Sequence, residues 1–181
     1  MHKSALALVT LLAAGTASAQ TGRTLHYERS NRDGSEGEQI YVHRAAADRI
    51  EVYKMVERCT RSALVTATID PKTGAAHALE AGQLQPEAKR NVYGWMSDEP
   101  ARGRLTVRLA GDPPQEKTLA IPTRPWHLYD YDLATLSAAF EARPGDRAAR
   151  RFGMVLVWPD EEKPDDFIHW LGDATARFVR A

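Results

Sequence analysis

From Thr24 onward, hydrophobic positions recur at every second residue. Ile40 and Val42 alternate with Gln39, Tyr41 and His43; Ala63, Val65, Ala67 and Ile69 alternate with Ser62, Leu64, Thr66 and Thr68; Leu105, Val107 and Leu109 alternate with Arg104, Thr106 and Arg108. A period of two marks strands with one buried face. Between them stand turn-forming runs at Asn31–Ser35, Asp70–Gly74 and Gly111–Pro114, rich in Gly, Pro, Asn and Asp, which supply restricted or positive φ where a chain reverses. Further strands are expected at Leu25–Ser30, Arg49–Glu57, Ala75–Glu80, Val92–Ser97, Lys117–Ile121 and Arg151–Trp158. Short strands joined by short turns predict an all-β fold: an antiparallel meander forming an open or closed barrel-like sheet. Arg151–Trp158 is apolar in both phases, so it is expected between two packed layers. The polar stretch Gln83–Asn91 reads as a loose loop.

One internal helix is expected, from Leu133 to Ala142, with Leu133, Leu136 and Phe140 on one face, Asp132 as N-cap and Pro144-Gly145 as terminator. The C-terminal pattern has two readings. Phe167, Ile168, Leu171, Ala174, Thr175, Phe178 and Val179 fit a helical face capped by Asp165 or Asp166; a strand, a kink at Gly172-Asp173 and a second strand through Phe178 fit nearly as well. The chain stops at Ala181 directly after this apolar pattern, as expected of a form truncated at its C-terminus.

Ahead of the strands lies a segment of another kind. Lys3 precedes an apolar run from Ala5 to Ala14, and Ala17-Ser18-Ala19 follows. This is the pattern of a secretory signal peptide cleaved after Ala19, with an apolar run too short to remain as a membrane span. The mature chain, from Gln20, is then a single β-rich domain over 20–181, periplasmic or secreted. Of 24 basic and 24 acidic residues, cleavage removes one basic and no acidic residue. A near-neutral chain has no electrostatic grip on nucleic acid or an anionic membrane. Cys59 is the sole cysteine, so no internal disulfide forms, and it reads as a small buried hydrophobe.

Candidate chemistry is sparse. His26, His43 and His77 fall on three different strands without metal-ligand spacing, and no metal site or cofactor is expected. Ser62 and Ser137 lack a Gly-x-Ser-x-Gly turn. The carboxylate pairs at Asp98-Glu99, Asp160-Glu161-Glu162 and Asp165-Asp166 sit beside prolines in polar turns, where they stay solvated. The densest unusual segment runs from Pro125 to Asp132. Trp126, His127, Tyr129, Asp130 and Tyr131 offer an aromatic platform with polar handles and are the candidate ligand-binding residues. The simpler account of the same residues is aromatic filling of the corner where a strand hands over to the helix.

Several runs together resemble an uncharacterised group of exported proteobacterial proteins akin to the DUF3108-like families. They are Tyr27-Glu28-Arg29-Ser30, Asp33-Gly34-Ser35-Glu36, Arg49–Lys54 with Arg58-Cys59-Thr60, Val65–Asp70 and Trp126–Leu133. The resemblance covers most of the mature chain and implies an open or closed antiparallel barrel, with no activity to transfer. In such proteins the segment matching Leu171–Thr175 continues into further strands, which favours the strand reading here. The leading expectation is a non-catalytic periplasmic protein holding a hydrophobic or amphiphilic molecule, lipid-like or otherwise, in a curved sheet. The alternatives are an envelope-polymer hydrolase using a His127–Asp130 pair, or a module pairing with an envelope protein through a strand edge.

Overall fold

The computed structural model describes residues 21–177 except 36, 58–60, 132–133, 144, 159–161 and 164. The expected leader, Cys59, the Asp132 cap and Phe178 lie outside the described residues.

Eight strands follow one another as an antiparallel meander in sequence order: β1 (Thr24–Arg29), β2 (Glu38–Ala46), β3 (Arg49–Glu57), β4 (Arg61–Ile69), β5 (Ala76–Leu84), β6 (Arg90–Glu99), β7 (Arg104–Leu109) and β8 (Gln115–Ala120). The sheet is open: β1 and β8 do not pair. The turns form where the composition places them. Asp70 accepts hydrogen bonds from the Lys72 and Thr73 backbones at 2.7 and 3.2 Å, and Gly74 takes φ 73°.

A second sheet departs from the expected meander. β9 (Trp126–Leu128) runs parallel to β10 (Arg150–Val157), which pairs antiparallel with β11 (Ile168–Ala176). The parallel pair follows from the helix between them, because two strands joined by a crossover helix finish in the same direction. That helix, α1, spans Ala134–Glu141. Its buried face is not the expected one: Ala134, Thr135, Ala138 and Ala139 are buried, whereas Leu136 and Phe140 are only half-buried. Small side chains face inward because α1 lies directly on the β4–β5 turn, where a Cβ on Gly74 would collide with the Ala139 backbone.

Two further expectations change. The stretch Gln83–Asn91 is a tight hairpin rather than a loose loop: β5 continues to Leu84, a single 3-10 turn spans Pro86–Ala88, and β6 begins at Arg90. The C-terminal segment is one strand with an irregularity, not a helix. Met154 faces Gly172 and Val155 faces Trp170, leaving Leu171 as an extra residue beside Gly172 at φ 111°. Such a bulge bends a strand without ending it.

The two sheets and α1 enclose one core. Ile50, Val52, Ile69, Leu79, Leu105 and Val107 of the meander meet Trp126, Leu128, Tyr131, Val155, Phe167 and Ile168 of the second layer. β10 is the central strand of the second sheet and is only partly enclosed: Phe152 and Val155, in opposite phases, are buried, whereas Met154, Leu156 and Val157 are half-buried and Trp158 is exposed, so the expected enclosure between layers does not extend along the whole segment. Tyr131 is fully buried and donates its hydroxyl to the Ile50 carbonyl at 3.0 Å, tying the second layer to the middle of the first. No described helix is long and apolar enough to cross a membrane.

Candidate functional site

The meander's inward face consists of rows of cross-strand neighbours, and the rows differ in side-chain size. One row reads Ile50, Ala67, Leu79, Met96 and Val107; apart from Ala67 it is built of large side chains, and all five residues are buried. The next reads Val42, Val52, Val65, Ala81, Gly94 and Leu109, and shrinks to Ala81 and Gly94 on the central strands β5 and β6. Gly94 leaves room only for contact: a Cβ there would sit 3.4 Å from both Ala81 Cβ and Leu109 Cδ2. Above these small residues lies a cleft of about 480 Å³, bounded by the meander on one side and by Leu128, Asp130, Val157 and Trp158 of the second layer on the other. This volume is in the range of small-molecule sites.

The lining is apolar, with polar groups at the edge. Val65, Leu79, Met96, Val107, Leu109, Leu128 and Val157 supply walls; Tyr93, Trp95 and Trp158 add aromatic surface. Tyr93 is re-aimed by a bulge: Ala81 faces Gly94 and Gly82 faces Val92, so Tyr93 is the unpaired extra residue. Tyr93 and Trp158 are exposed, at 42% and 65%. Lys54 continues the inward phase of β3, and its ammonium donates to the Asp130 carbonyl at 2.9 Å. The Asp130 carboxylate in turn accepts the Val157 backbone N–H at 3.1 Å, holding β10 beside the turn after β9.

The five residues singled out in the sequence are thus distributed rather than gathered. Trp126, His127 and Tyr131 are buried in the core, at 2%, 0% and 0% exposure. Asp130 stands at the edge of the concave cleft. Tyr129, half exposed, lines a different cleft of about 410 Å³ with Tyr27, Val42 and Ser137, between α1 and the β1 side of the sheet. His127 and Asp130 have separate partners. His127 Nδ1 bonds the Thr135 hydroxyl at 2.7 Å, and its Nε2 is buried with no partner among the described residues. Burial lowers the His127 pKa from 6.5 to about 4 and keeps the ring neutral.

The three strand histidines are likewise apart in role. His26 stacks on Tyr41 with ring centroids 4.4 Å apart and bonds Gln39, and His43 bonds the Thr24 hydroxyl at 2.8 Å. His77 is exposed at the start of β5.

Lys54, Tyr93 and the Ala81–Gly94 gap were not singled out in the sequence. The signal was present as small residues at inward positions of neighbouring strands, legible only once the register is known. Comparison with protein-family models, with curated proteins and with solved structures finds no match to this chain.

Proposed function

We propose that this protein is a non-catalytic, exported binding protein that holds the apolar part of an amphiphilic molecule in the concave cleft between its two layers. The observation that carries this reading is the gap at Ala81 and Gly94. A core meant only for stability fills such a row, because voids forfeit contacts and cost free energy. Here the space is instead walled by aliphatic and aromatic side chains, with exposed Tyr93 and Trp158 at its edge and Lys54 as a cationic handle. An apolar wall with the Lys54 ammonium and the Asp130 carboxylate at its edge suits a molecule with an aliphatic or aromatic body and a polar head. Export with cleavage after Ala19 places the protein in the periplasm or outside the cell, where such amphiphiles must be kept from water.

Native mass spectrometry of protein purified from the periplasm tests this reading. An adduct released by organic solvent, and lost when Ala81→Phe fills the gap, is the expected result. A mature protein carrying no adduct, and taking up none when exposed to cell-envelope lipid extract, would remove the basis for the proposal.

A further inference from the structure

A second cleft, of about 530 Å³, lies where the β4–β5 turn, α1 and the beginning of β10 meet. Its chemistry is unlike that of the concave cleft. Arg124, Arg143, Arg150 and Arg151 contribute four guanidinium groups, and Asp98 is the single carboxylate residue of the lining among the described residues. Asp98 is fully engaged: its two oxygens meet the two terminal nitrogens of Arg124 at 2.6 and 2.8 Å, and its side chain is 4% exposed. Arg151 pairs with Asp173, and Arg150 reaches Asp146 at 3.2 Å and the Ala139 carbonyl at 2.5 Å. Arg143 forms no salt bridge among the described residues and acts only at longer range on Asp146, which Arg150 already engages, so four guanidinium groups stand against three carboxylates.

Two buried nitrogens in the same lining have no hydrogen-bond partner among the described residues. One is Arg150 Nε; the other is His127 Nε2, on a residue with 0% exposure. Nitrogens left unpaired in the interior are costly, and those of native proteins commonly await water or a ligand. Around them stand Trp126, Phe152 and Leu136, an apolar surface continuous with the charged groups.

From this arrangement we infer that the second cleft is a binding site for a small organic oxyanion, a carboxylate or phosphate carried on a compact apolar body. The planar, multiply donating guanidinium groups match oxyanion geometry, and the aromatic surface receives the body. The neutral His127 ring adds a donor in the tautomer that carries its proton on Nε2. The site is separate from the concave cleft, and its existence does not depend on what that cleft holds.

Calorimetric titration of the full-length mature protein with phenyl phosphate, and with benzyl alcohol as an uncharged counterpart, tests the inference. Phenyl phosphate is expected to bind with a Kd of about 1 mM or below, and benzyl alcohol at least about tenfold more weakly. Arg143→Glu, at an exposed position, should weaken phenyl phosphate by about tenfold or more while leaving the circular dichroism spectrum unchanged. The ¹⁵N resonances of the His127 ring should move on addition of phenyl phosphate, and Ala81→Phe in the other cleft should leave the affinity as it was. Equal binding of the two probes, undiminished binding by Arg143→Glu, unmoved His127 resonances, or loss of binding in Ala81→Phe would each overturn it.

Discussion

His127 shows how a single residue is recast by its surroundings. In the sequence it is a polar group among aromatics and a candidate acid or base; in the fold it is enclosed by Phe152, whose ring meets it edge-on at 5.1 Å, and by Thr135. Its pKa near 4 lies below the ordinary 6.5, so between these values the unfolded chain binds a proton that the folded one refuses. The corresponding stability is fully present above pH 6.5 and is lost as pH falls toward 4, amounting to about 3 kcal/mol. Chemical denaturation at a series of pH values, on the native protein and on His127→Asn, isolates this contribution. The difference between the two profiles should change across that interval; parallel profiles would show that His127 is not buried as a neutral ring. No property of residues 126–131 in isolation announces which side chains turn inward, since all five candidates are compatible with either a platform or a corner. Burial of Trp126, His127 and Tyr131 is decided by the sheet lying beneath them.

At the scale of elements, alternation was a reliable guide and its faces were not fully so. β4 presents Val65, Ala67 and Ile69 inward as its period requires, yet Thr66 on the other face is also buried, at 8% exposure. Arg90 reaches across β5 to cover it, its Nη2 donating to the Thr66 hydroxyl at 3.3 Å and to the Glu80 carbonyl at 3.0 Å. A carboxylate at position 66 meets the Arg90 cation but also stands between Glu51 and Glu80, its cross-strand neighbours, whereas one at position 67 meets only apolar neighbours. Ala67→Asp should cost about 3 kcal/mol or more, and Thr66→Asp less, about 1–2 kcal/mol, in urea unfolding. Equal losses would mean that Arg90 does not shield that face. The second sheet offers a sharper case. A Cβ on Gly153 would overlap the far edge of the Trp170 ring, which reaches over the β10 backbone. Gly153→Ala should therefore destabilise by about 2 kcal/mol or more and alter the near-ultraviolet signal of Trp170, an effect absent if the ring is free to swing away. The parallel β9–β10 pair and the small-residue face of α1 were not legible from local patterns, because both arise from where the crossover lands: α1 settles against Gly74, and contact that close admits alanine but not leucine. The C-terminal strand was legible only as one of two readings, since Gly172 and the extra Leu171 disrupt the period that would have distinguished them.

At the scale of the whole molecule, an open eight-stranded meander is capped by a three-stranded layer, and the fit between them is complete on one row and deficient on the next. The row of Leu79 and Met96 belongs to the core and also walls the concave cleft, which opens over the row of Ala81 and Gly94. All-β architecture and most strand positions were readable from alternation alone. The cleft was not, because its cause is a coincidence of small residues on adjacent strands that only the register brings together. Titration with a fluorescent fatty acid such as dansyl-undecanoic acid addresses the cleft most directly, with Ala81→Phe as the variant that fills it. Saturable binding with blue-shifted dansyl emission is expected in the native protein, with a loss of about tenfold or more in affinity for Ala81→Phe and little change in melting temperature, because the added ring occupies existing space. Binding of equal strength in both proteins, or none in either, would contradict it.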